Sequence, residues 1–159
     1  MENENINDSF MRQAIELSIR NVANGGGPFG AVIVKNNQVV ATGTNRVTSE
    51  NDPTAHAEVT AIRNACKELG TFDLSGCTIY SSCEPCPMCL SAIYWAHLDK
   101  LYYGNTKEDA DAIGFSDQFI YEELALKPVV RKLPSENKMR KEALAAFKAW
   151  NDKADKITY

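Results

Sequence analysis

The stretch SSCEPCPMCLSAIYWAH, residues 81–97, limits the fold more than any other feature. Cys83, Cys86 and Cys89 stand three apart directly ahead of an apolar run, so two or three thiols meet at the start of a helix, where i and i+3 share a face. Thiolates so placed suit a tetrahedral zinc ion, which takes sulfur and imidazole nitrogen. A site of this kind needs a further ligand from elsewhere in the chain. There are only two histidines, and His56 lies far upstream in Thr54-Ala55-His56-Ala57-Glu58. A fold that uses it must bring two helix starts together.

Five cysteines is an odd number, and MENENINDSF lacks the basic-then-apolar order of an export signal. Metal binding or thiol chemistry therefore gains weight over a disulfide scaffold, and a cytoplasmic chain is expected. No stretch approaches the roughly 20 apolar residues of a membrane span. The 159 residues, 44% of them hydrophobic, suit one domain over 1–159 with a sizeable core. The net charge of −4 argues against a grip on long nucleic acid, which calls for a basic surface.

Periodicity predicts a helix over 8–23, stopped by Asn24-Gly25-Gly26-Gly27-Pro28. FGAVIVK and QVVATGTN flank Asn36-Asn37 and read as a hairpin. RVTSENDPT reads as a polar loop, with Asp52-Pro53 as cap and first turn of a helix through AHAEVTAIRNACKEL that stops at Gly70. CTIYSS is a strand, MCLSAIYWAH a helix and KLYYGN a strand, followed by helical patterns around 107–125 and 136–153. KPVVRKLPSEN reads as the most mobile connection. The expected fold is α/β, a three-layer α/β/α sandwich whose mixed central sheet of about five strands is covered by helices.

Read on spacing alone, Cys83 stands open as a fourth ligand, which would make a closed Cys3His structural site, and a redox Cys-x-x-C remains a further reading. Cys66 and Cys77 read as small buried apolar groups, and His97 as a residue at a helix end. Lys138, Arg140 and Lys141 alternate with acids as on a solvated helix face.

His56-Ala57-Glu58 together with Pro85-Cys86-Pro87-Met88-Cys89 is the H-x-E…P-C-x-x-C pattern known for zinc deaminases. GGPFGAVIVK, TGTNRVTSENDPTAHAEVTAIR, SSCEPCPMCLSAIYWA, GFSDQFIYEE and the terminal Tyr159 extend the match over nearly the whole chain. On these residues the chain resembles the bacterial guanine deaminases of the cytidine-deaminase-like superfamily. The resemblance implies one zinc ion per subunit held by His56, Cys86 and Cys89, with Glu58 as proton shuttle. It implies hydrolysis of a small purine base, guanine, to xanthine and ammonia, with guanosine, cytosine or tRNA adenosine as alternative substrates and a zinc-stabilised binding module as the non-enzyme alternative.

Substrate contacts follow from the same resemblance. Phe29 and Trp95 would stack on the base, Asn45 would read its edge, and Asp117 would accept its N–H groups. Residue type alone equally allows core aromatics, a turn-capping amide and a loop carboxylate at these positions. Tyr159 would close the site from a homodimer partner, the C-terminal segment of about 136–159 being exchanged between subunits.

Overall fold

The computed structural model describes residues 5–159. Helix α1 (Ile6–Ala23) starts two residues before its expected place because the Asn5 side chain accepts the Asn7 N–H and caps it. β1 (Gly30–Lys35) and β2 (Gln38–Thr44) form an antiparallel hairpin. Asn36 and Asn37, both at positive φ, make its two-residue turn. The loop that follows contains a single helical turn, α2 (Val47–Glu50), then α3 (Ala57–Leu69) ends at Gly70 in the left-handed region. β3 (Cys77–Cys83), α4 (Pro87–Trp95) and β4 (Lys100–Asn105) form a crossover that leaves β3 and β4 parallel.

The sheet order is β2-β1-β3-β4, mixed as expected, but with four strands rather than about five among the described residues. Each β-branched or aromatic run supplies one strand. After Asn105 the described chain is helical: Thr106 opens α5 (Lys107–Ala112) with a reciprocal capping box to Asp109, and no alternating run follows from which a fifth strand could be built.

The three layers follow from the period of β1. Ala31 and Ile33 face a core with Ala57, Ala61 and Ala65 of α3 and Ile93 of α4. Val32 and Val34 face the opposite core, with Phe10 and Ala14 of α1 and Tyr80. Both faces of the strand are covered, which is why it reads as a continuous apolar run. Small residues on α3 let it lie close on β2. A side chain at Gly43 would run into the Ala57 carbonyl and the Ala61 amide.

The start of α3 differs from its expected place. Asp52 does not cap the helix; its carboxylate accepts from the backbone N–H and hydroxyl of Thr54 in a local turn, and His56 occupies the cap position.

The chain divides into two compact units, one ending at Gln118 and one spanning Phe119–Tyr159. The second contains most of α6 (Gln118–Ala125), a 3-10 turn at Pro128–Val130 and α7 (Arg140–Asp152). Arg131 donates to the Glu123 and Leu126 carbonyls at 3.0 and 3.1 Å, tying the segment expected to be most mobile to the end of α6. No residue of this unit is buried. Among the described residues no helix is long and apolar enough to cross a membrane.

Candidate active site

The site is built on two helix starts on the same side of the sheet. His56 is the N-cap of α3 and Cys86 the N-cap of α4, both in extended conformation, and Pro87 supplies the first residue of α4. Cys89 lies in the first turn of α4 and Glu58 in that of α3.

His56 Nδ1 is 3.5 Å from both Cys86 Sγ and Cys89 Sγ, and the three ligand atoms lie within 4.8 Å of one another. A tetrahedral zinc with ordinary Zn–N and Zn–S lengths needs N···S edges of about 3.6 Å, so the donor set fits the ion in type and spacing. It is the one such group of side chains among the described residues.

The thiols differ in acidity. A hydrogen bond from the Cys89 thiol, helped by His56, pulls Cys86 well below the usual thiol range. The same hydrogen bond, with burial and the charge of Glu58, pushes Cys89 up. His56 is shifted upward, chiefly by its hydrogen bond with Cys86.

Glu58 is 5% exposed, and the Ser81 hydroxyl donates to its Oε1 at 2.7 Å. Ser81 was not legible as a partner because it lies in β3, and only the sheet register turns it toward α3. Cys83 stands apart from the ligand group. Its thiol donates to the Thr106 carbonyl at 3.6 Å, and burial pushes its pKa up to about 11.

The other residues expected at the site are placed as follows. Asn45, 8% exposed, directly follows β2; its backbone N–H donates to the Phe29 carbonyl at 3.2 Å, and its Oδ1 accepts the Val47 N–H at 3.3 Å. Phe29 is half-buried and meets Phe115 edge to face, with ring centres 4.9 Å apart. Phe115 escaped the sequence reading although it stands two residues before Asp117. Asp117 is half-buried; burial, then the nearby charge of Cys86, raises its pKa, and its own charge reaches His56.

Trp95 is 64% exposed at the last turn of α4, beside an open depression of about 370 Å³ that it lines with Ser91 and Tyr94. Six residues beyond Cys89, it is turned about 120° around the helix from it. Tyr159 lies in the second unit and is 74% exposed. His97 follows the end of α4 in left-handed conformation and faces Asp73, with 3.5 Å between Nδ1 and Oδ1. Cys77 is buried and Cys66 half-buried, and burial raises both pKa values.

Residues 4–105 match the family model described as the cytidine and deoxycytidylate deaminase zinc-binding region. The chain is 49% identical to guanine deaminase of Bacillus subtilis over 96% of its own length and 98% of that protein's. The crystal structure of guanine deaminase from Bacillus subtilis superposes with a TM-score of 0.93 over the same shares. A tRNA-specific adenosine deaminase of Agrobacterium fabrum is 48% identical over 77 residues, 48% of this chain and 51% of that protein. With the matched region spanning both helix starts and the whole sheet, the chain belongs to the cytidine and deoxycytidylate deaminase family of zinc-binding proteins.

Proposed function

We propose that the protein is a zinc-dependent guanine deaminase that hydrolyses guanine to xanthine and ammonia. The observation that carries this reading is the three-ligand group at two helix starts with the Glu58 carboxylate buried beside it, in a chain half identical along its length to a guanine deaminase. Three protein ligands suit a catalytic zinc; bound here, the ion supplies water activated for attack near neutral pH.

The chain's own residues handle protons and the base. Glu58, oriented by Ser81, takes one proton from the attacking water and gives it to the ring nitrogen, then carries the second proton of that water to the departing amine. One C–O bond forms and one C–N bond breaks, so guanine and water balance xanthine and ammonia. Because Asn45 Oδ1 is engaged by the Val47 N–H, Asn45 offers the base its N–H donors. Asp117 offers the complementary acceptor to the guanine N–H groups. Phe29, braced by Phe115, gives a stacking surface.

Trp95 and Tyr159 close the pocket in a homodimer whose C-terminal segments are exchanged, each chain remaining one functional domain over 1–159. The exchange is supported by the absence of any buried residue in the second unit, which leaves Leu133, Phe147, Ile157 and Tyr159 exposed. Five free thiols suit a reducing, cytoplasmic setting.

Ammonia release is compared from guanine, guanosine, cytosine, cytidine, adenine and a tRNA anticodon stem-loop. Guanine should lead the panel, since a site built to hydrogen-bond a group rejects analogues lacking it by roughly 10⁴-fold. Glu58→Gln should keep zinc and lose on the order of 100-fold or more in turnover. Reaction of the tRNA alone would reject the guanine reading, and full activity of the glutamine variant would reject the proton path.

A further inference from the structure

Asn21, on the last turns of α1, belongs to none of the motifs above, yet its side chain joins the two segments that carry Phe29 and Asn45. Its Nδ2 donates to the Gly27 carbonyl at 2.7 Å and to the Asn45 carbonyl at 2.9 Å. The same Gly27 carbonyl accepts the Phe29 N–H at 2.8 Å, and the Phe29 carbonyl accepts the Asn45 N–H at 3.2 Å. The hydrogen bonds therefore close a ring through Asn21, Gly27, Phe29 and Asn45. One step beyond it, the Arg46 N–H donates to the Ala55 carbonyl at 2.8 Å, next to His56.

The chemistry of this ring selects asparagine. Two carbonyl oxygens converge on one point and call for two N–H donors on one short side chain. Serine has one donor, aspartate has none, and glutamine is a methylene too long. The glycine loop is shaped around the amide as well. A side chain at Gly26 would strike the Asn21 amide, and one at Gly27 would press on the Asn45 amide carbon at 3.1 Å.

We infer that Asn21 is a positioning residue for base recognition: it sets the backbone of Asn45, and with it the direction of the Asn45 N–H donors, relative to the Phe29 ring. The inference rests on the guanine reading for its substrate and on the hydrogen-bond ring for its geometry. No hydrogen bond of the ring involves His56, Glu58, Cys86 or Cys89, so Asn21 acts on how the base is held and not on the chemical step.

The variants are Asn21→Asp, which keeps the size and removes both donors, and Asn21→Ala. Measured per zinc-loaded chain, each should raise KM for guanine by about 10-fold or more and leave kcat within about 3-fold, the signature of lost binding shared by ground and transition states. A double-mutant cycle with Asn45→Ala separates positioning from general loosening. Asn21→Ala added to Asn45→Ala should cost less than about 2-fold further in kcat/KM, because its effect passes through the side chain already removed. Amide hydrogen exchange in Asn21→Asp should accelerate by about 10-fold or more at Gly26, Gly27, Phe29 and 45–47, with α3 and α4 unchanged.

Unchanged KM, full multiplication of the two losses, or unchanged exchange would overturn the inference. So would failure of both variants to give folded, zinc-loaded protein, since Asn21 would then be structural. Wild-type protein inactive on guanine would instead reject the substrate reading, and the exchange measurement would still decide the role of Asn21.

Discussion

Cys83 carries the same thiol as Cys86 and Cys89 but belongs to a different element. It is the last residue of β3, whereas the other two belong to the start of α4. The Cys83 thiol faces the Thr106 carbonyl, an acceptor a serine hydroxyl can use equally well. Cys83→Ser should therefore retain about one zinc per chain by elemental analysis; complete metal loss would establish a closed four-ligand site. The grouping of His56 with Cys86 and Cys89 is legible in the sequence because few residue types bind zinc and the cysteine spacing is short, whereas Glu58 joins them through the resemblance. Asn21, Ser81 and Phe115 are not legible, because their partners are chosen by how α1, β3 and the loop after α5 meet distant segments.

The link between element packing and metal chemistry runs through Gly43. A Cβ there would press on the first turn of α3, the turn that begins at His56 and carries Glu58. Gly43→Ala should cost about 1–3 kcal/mol, the usual scale for overpacking, seen as a lower melting temperature of the metal-free protein. A displaced His56 should also weaken zinc binding by about 10-fold or more in competition with a chromophoric chelator. Wild-type zinc affinity in that variant would show that the α3 start moves independently of β2. The hairpin and the four strands are legible from β-branched and apolar runs and from turn residues, which are local. The start of α3 lies later than expected because Asp52 closes its own turn with Thr54 instead of capping the helix, and its carbonyl accepts the Ala55 N–H at 3.1 Å.

At the scale of the whole molecule, the segment beyond Gln118 has apolar residues enough for a core but buries none. If the tail of one chain completes the pocket of another, removal of 157–159 should lower guanine turnover by about 10-fold or more and leave zinc content unchanged, the scale expected when part of a closing surface is lost. Mixing that truncated chain with full-length Glu58→Gln should then restore activity, since each supplies what the other lacks; a mixture no more active than its parts would argue against exchange. The periodicity of 107–159 is silent on the partner of these helices, because a helix reads the same whichever copy it packs on. The helix-start ligands described above have a consequence for descent. Chemistry counted from two caps stays in register while the loops that meet the substrate are rewritten, so one hydrolytic frame can be inherited by enzymes for free bases and for bases within RNA alike, as the partial kinship with the tRNA deaminases illustrates.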